Sequence, residues 1–175
     1  LGQADKNQLA WDSVGGLQRA KVLNRAASKI EAELPEQLTA ARLCRHFAQH
    51  ARDRFEIPIT MPGPTGESNT LSLHGRGVFL CAVADHCSLS CFTTQMIAAL
   101  AAGNSVIALS NKSCAGISQR LVEVLLNSGV PEKVLHFIPG SMFDELQLVK
   151  IIARDLRLSG VAWSGPTAGA IAIQK

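Results

Sequence analysis

Val78 to Asn104 reads VFLCAVADHCSLSCFTTQMIAALAAGN, and this stretch decides the fold. Val78–Val83 is apolar throughout, the mark of a strand covered on both faces. A short polar loop follows, Ala84-Asp85-His86-Cys87-Ser88. Helical spacing then runs from Ser88 to Ala102, with Gly103 where a helix C-terminus wants a left-handed residue.

The same unit recurs downstream. Strand Ser105–Leu109 leads to helix Cys114–Asn127, strand Val134–Ile138 to helix Asp144–Ala153, and strand Gly160–Trp163 to a last helix from about Pro166. Gly129 repeats the C-cap signal of Gly103. Four successive β-α units predict a Rossmann-like, doubly wound parallel sheet with helices on both faces. Ligands of such sheets bind beyond the carboxyl ends of the strands. Those ends are Ala84–Ser88, Leu109–Ser113, Gly140–Phe143 and Ser164–Thr167.

Upstream, the periods change. Apolar residues at Leu17, Ala20, Val22, Leu23, Ala26, Ala27, Ile30 and Leu34 predict a helix, with Asp12 or Ser13 as its cap. Pro35 suits the first turn of a second helix, over Glu36–Arg54. That helix is basic at Arg42, Arg45, Arg52 and Arg54, a pattern that belongs to a solvated face. Ile57–Gly77 holds three prolines and four glycines between two β-like runs, Ile57–Met61 and Thr70–His74. It predicts a β-ribbon arm. The expected division is therefore helices over 1–56, an arm over 57–77 and a β-α domain over 78–175, in one compact unit.

The bulk properties exclude several classes. The chain has 175 residues, 47% of them hydrophobic, and a net charge of +3 from 17 basic and 14 acidic residues. That balance is too mild for a nucleic-acid binder. No apolar run reaches the ~18 residues of a membrane span. The polar start LGQADKNQLAWDS is not that of a signal peptide, and it carries no initiator Met, as expected for a piece of a longer polypeptide. Five cysteines, Cys44, Cys81, Cys87, Cys91 and Cys114, match no zinc-finger spacing. Reduced thiols in a cytoplasmic protein are the expectation.

Three features bear on chemistry. Ser164-Gly165-Pro166-Thr167-Ala168-Gly169 joins a strand to a helix, and such a turn is either a tight connection or a phosphate seat at a helix N-terminus. No GxGxxG follows the first strand. Cys81, Cys87 and Cys91 lie near His86. They could furnish a thiolate or a metal site, but their spacing is diagnostic of neither, and no metal is expected. Cys87, beside a helix N-terminus, is the thiol to test.

MPGPTGESNTLSLHGRGVFLC (Met61–Cys81), AALAAGNSVIA (Ala98–Ala108), GVPEKVLHFIPG (Gly129–Gly140) and GVAWSGPT (Gly160–Thr167) together carry more. They resemble the NAD(P)-dependent aldehyde dehydrogenases, and within them the 1-pyrroline-5-carboxylate (glutamate-semialdehyde) dehydrogenase module of the proline utilization A enzymes. The likeness runs from about Trp11 to Ile173 and covers the cofactor-binding part of that family's catalytic unit. It implies NAD as cofactor, bound along Val83, Ala84, Leu109, Lys112, Gly140, Ser164, Gly165, Pro166 and Thr167. It also implies the remainder of a parent enzyme as partner, and a homo-oligomer formed through the arm at 57–77.

The departures from the family pattern fall in the site loops. Where the family reads P-W-N-F-P, this chain has Ala84, Asp85, His86, Cys87 and Ser88, so His86 stands where an Asn would hold the oxyanion. Where the family reads K-P-x-E, it has Leu109, Ser110, Asn111 and Lys112. Leu109 cannot donate to a ribose hydroxyl, and Lys112 replaces an acceptor with a donor. The F-T-G-S-T turn becomes Trp163, Ser164, Gly165, Pro166 and Thr167, which keeps its glycine and hydroxyls. The family's nucleophilic Cys and general-base Glu lie further downstream than Lys175. Two functions are thereby open. One is the cofactor domain of a dehydrogenase converting glutamate semialdehyde to glutamate, with a degenerate site and inactive alone. The other is a non-catalytic domain of the same descent that covers a neighbouring active site or joins subunits.

Overall fold

A computed structural model describes residues 1–85, 87–140 and 145–174. Three helices come first: α1 (Gly2–Ser13), α2 (Gly16–Glu33) and α3 (Leu38–Phe55), the last preceded by a 3-10 turn at Pro35–Gln37. A two-stranded ribbon follows, β1 (Ile59–Met61) antiparallel to β2 (Asn69–Leu71). Then come β3 (Val78–Val83), α4 (Leu89–Ala101), β4 (Ser105–Leu109), α5 (Ala115–Asn127), β5 (Leu135–Ile138), α6 (Glu145–Ala153), β6 (Leu158–Ser164) and α7 (Thr167–Gln174).

The sheet is parallel, in the order β5-β4-β3-β6. The chain steps outward from β3 to β4 to β5, then crosses back to place β6 on the other side of β3. The switch in direction therefore falls between β3 and β6, where a doubly wound sheet opens its crevice. Every residue of β4 is buried, and only Phe79 of β3 is partly exposed, so the run of apolar residues in each follows from burial on both faces.

One core lies on the face carrying Cys81, Val83, Val106 and Ala108, under α2, α3, α4 and α5. The opposite face, with Leu80, Ala82, Ile107 and Leu109, is covered by Ala4 of α1, by α6 through Val149 and by α7 through Ile173. Gly103 and Gly129 close α4 and α5 with φ of 86° and 111°, a conformation that a Cβ penalises. On α2, Lys29 Nζ donates to the Asn127 carbonyl at 2.8 Å, at the negative end of α5.

One expectation needs correcting, and one helix lies outside the periodic pattern. Gly2–Ser13 forms α1. Its buried face is Ala4, Gln8 and Trp11, and two of those three anchor by hydrogen bonds: Gln8 Nε2 to the Gly103 carbonyl at 2.9 Å and Trp11 Nε1 to the Leu100 carbonyl at 3.0 Å. Neither Asp12 nor Ser13 caps α2. Gly15 is the N-cap, and the donor of Leu17 is satisfied from a distance by the Glu56 carboxylate at 2.6 Å. A carboxylate there also meets the positive end of the α2 dipole.

Candidate functional site

The carboxyl ends of all four parallel strands stand in one row. Gly140 lies beyond β5, Leu109 and Lys112 at β4, Val83 and Ala84 at β3, and Ser164 to Thr167 at β6. The fold thus brings the nine expected cofactor residues to one edge. His86 lies outside the described residues.

What these residues touch decides what the row can do. Ser164 ends β6 beside the switch point, and all its polar atoms have partners within the fold. Its carbonyl accepts from the Ala84 amide at 2.8 Å and from the Cys87 thiol at 3.1 Å. With the Gln95 side-chain amide assigned so that both its ends are satisfied, its oxygen accepts from the Ser164 hydroxyl at 2.7 Å and amide at 3.2 Å, and its nitrogen donates to the Ala162 carbonyl at 3.2 Å. Gln95 sits on α4, so this pair ties the helix after β3 to the end of β6.

Asn111 does the same on the other side of β3. It is fully buried. Its Nδ2 donates to the carbonyls of Ala84 and Cys87, each at 3.0 Å, and its Oδ1 accepts from the Cys114 amide at 2.9 Å. The loop after β3 is therefore held to β6 through Ser164 and to the start of α5 through Asn111. Sequence reasoning gave Asn111 and Gln95 no part. The available signals were a buried-type polar residue directly after an all-apolar strand, and a lone glutamine in the apolar helix α4.

The other expected residues contribute less to a binding surface. Val83 and Leu109 are each 1% exposed and face the cores. Gly140 is buried, and its amide donates to Ser110 Oγ at 3.4 Å. Lys112 is exposed, as are Gly165, Pro166 and Thr167. The glycines of the last turn are packed against the protein's own Trp163. A Cβ on Gly165 would stand 2.7 Å from the indole and 2.8 Å from Ala84 Cβ, and one on Gly169 would stand 2.9 Å from the indole. Close packing of Trp163 thus accounts for these two glycines without a phosphate.

The cysteines divide by environment. Burial pushes the thiols of Cys44 and Cys81 up to about 12, so neither is a nucleophile at neutral pH. Cys87, Cys91 and Cys114 are partly exposed. Among the described residues no group of three or more His, Cys, Asp or Glu is placed to hold a metal ion. A thiol-reactive chromophore at pH 8 is therefore expected to label three of the five cysteines in the native chain and all five in denaturant. Labelling of Cys44 or Cys81 in the native state, read by peptide mass, would contradict this burial.

The sequence profile of the aldehyde dehydrogenase family matches residues 35–175. The bifunctional protein PutA of Klebsiella aerogenes is 27% identical over 194 aligned positions, which take in 100% of this chain and 14% of that protein. A crystal structure of a proline utilization A variant from Bradyrhizobium japonicum superposes with a TM-score of 0.89 at 29% identity, over 98% of this chain and 19% of that one. PnpE, solved in complex with nicotinamide adenine dinucleotide, shares the fold at 23% identity and a TM-score of 0.86, over 99% of this chain and 39% of its own. The chain spans about one seventh of the curated relatives it matches. With the profile covering most of its length and a parallel sheet of the same architecture, this chain belongs to the aldehyde dehydrogenase family.

Proposed function

We propose that this chain is a proline-catabolic aldehyde dehydrogenase's dinucleotide-domain frame, kept as a non-catalytic structural unit within a larger PutA-like assembly. The observation that carries the reading is the complete internal use of Ser164 and Asn111, the two polar side chains flanking β3 at the strand ends. A phosphate or ribose gripped by the Ser164 hydroxyl would have to displace its bond to Gln95, and a polar group left unpaired there costs about 1–3 kcal/mol. Leu109, at the family's ribose-binding lysine position, is apolar and buried. In the working relatives that the sequence resembles, a nucleophilic Cys and a general-base Glu complete the oxidation of glutamate semialdehyde by NAD. Here the two thiols with resolved shifts are held protonated by burial.

The unit then acts through its surfaces, in the cytoplasm of a proline-degrading cell. The arm at 57–77 supports such a role. Ile57, Ile59, Met61, Leu71 and Leu73 are 76%, 48%, 44%, 46% and 39% exposed, an apolar row that a partner surface would cover. On this reading the arm joins subunits, or docks on the remainder of the parent enzyme.

A working NAD site is the second reading. It is favoured by the exposed turn Gly165–Thr167 at the start of α7 and by the NAD complex of the same fold. Thermal unfolding with NAD separates the two. At about 100 times its dissociation constant, a bound ligand adds about 2.7 kcal/mol. For a chain of this size that raises Tm by about 5–10 °C. The structural reading predicts a change under about 1 °C at millimolar NAD, and a saturable rise would overturn it.

A further inference from the structure

The basic helix α3 carries two histidines that neither reading uses. His46 and His50 are four residues apart, both exposed, so their side chains share one face of the helix. Their ring centres are 4.6 Å apart and their planes cross at 71°. Phe47 lies against both, its ring centre 5.1 Å from that of His46 and 6.4 Å from that of His50. Phe47 is itself packed on the main core, so it offers the two imidazoles a fixed wall.

We propose that His46 and His50 form a two-point chelate for a late divalent transition metal, of the nickel or copper class, with solvent completing the coordination. The spacing carries this. Imidazole nitrogens bind such ions at about 2 Å, which puts two ring centres about 4.5 Å apart when the two bonds meet at a right angle. Right-angle pairs belong to the square-planar and tetragonal geometries of Cu(II) and Ni(II). The observed separation of 4.6 Å matches that requirement.

The charged groups around the pair set the expected behaviour. Arg45 is drawn aside to Glu31 of α2, Nη2 to Oε2 at 2.6 Å, and Arg52 pairs with Asp53 at 3.1 Å. Arg42 and Arg54 stand one turn before and one turn after the histidines. The local field therefore opposes a cation, and the coordination bonds carry the affinity. Added salt screens that repulsion, so binding should hold or tighten as ionic strength rises.

The test is calorimetric titration of the chain with Ni(II), its exposed thiols first blocked with iodoacetamide. One site per chain is expected. His46→Asn and His50→Asn should each weaken it by about tenfold or more, and the double variant should abolish it. Circular dichroism melts of the apo variants check that the exposed substitutions leave the fold intact. No binding, binding unaffected by either substitution, or loss with only one of them would overturn the chelate. Since NAD plays no part, the outcome is independent of the proposed function.

Discussion

Replacing Arg19 with methionine is expected to remove about 3–5 kcal/mol of stability, the range for breaking a buried ionic pair. Arg19 is 1% exposed and sits where three segments meet. Its Nε donates to the Ala101 carbonyl at 3.0 Å, at the end of α4. Its Nη1 donates to the Asp12 carbonyl at 2.6 Å and the Trp11 carbonyl at 3.4 Å, at the end of α1. The Asp12 carboxylate stands 3.6 Å from the same nitrogen, and the guanidinium lies over the Phe55 ring at 5.7 Å. Burial pulls its pKa down, and the charges of Asp12 and Glu56 oppose that pull. A guanidinium stays charged in such a setting, so burying it is tolerated only because carbonyls and a carboxylate surround it. Methionine keeps the volume and leaves those acceptors unpaired. Urea unfolding should show a lower midpoint with an unchanged slope. A loss under about 1 kcal/mol would mean that water readily replaces the guanidinium there.

Gly16→Ala is expected to destabilise by about 3 kcal/mol or more, against the usual sign. Glycine to alanine inside a helix ordinarily gains about 1 kcal/mol. Gly16, however, opens α2 directly against the end of α3. A Cβ built there stands 2.1 Å from the Ala51 carbonyl oxygen, 2.9 Å from the Glu56 amide nitrogen and 2.9 Å from the Phe55 carbonyl carbon. All three are backbone atoms, so no side chain can swing aside. The two helices would have to part along the face formed by Ala20, Leu23, Ala27 and Ile30 on one side and Ala41, Cys44, Ala48 and Ala51 on the other, all buried. Strain of this kind in a close-packed core costs kilocalories. The Glu56 carboxylate bonded to the Leu17 amide would be displaced with it. An unchanged or raised Tm would show that α2 and α3 slide without penalty.

The sheet was readable from sequence for a physical reason. Strands buried on both faces are apolar at every position, and Gly103 and Gly129 mark the helix ends that separate them. The ends of α4 and α5 therefore fall within a residue or so of expectation. α1 was not readable, because its buried face includes Gln8 and its docking rests on side-chain hydrogen bonds to the end of α4. Periodicity detects apolar burial and is blind to polar anchoring. The cap of α2 was misplaced for a related reason: its acceptor, Glu56, is 39 residues away in sequence.

The site row was half legible. The β-α pattern located the strand ends, and the resemblance pointed to Leu109 and to the Ser164–Thr167 turn. Residue types could not reveal that Ser164 is fully engaged by Gln95, Ala84 and Cys87, or that Asn111 laces the loop after β3 to α5. The first depends on the crossover that sets β6 beside β3, the second on the pairing of β3 with β4. The same limit applies to Trp163, whose indole explains the glycines of a turn that reads as a phosphate seat.

The proposed function rests on the side chains of Ser164 and Asn111 being committed to the fold and withheld from a dinucleotide. A crystal structure of the chain grown in millimolar NAD tests it most directly. No ordered coenzyme is expected over the ends of β3, β4 and β6, with Asn111 still bonded to the carbonyls of Ala84 and Cys87. An ordered pyrophosphate at the start of α7, with the Ser164 hydroxyl turned from Gln95 onto a phosphate oxygen, would contradict it.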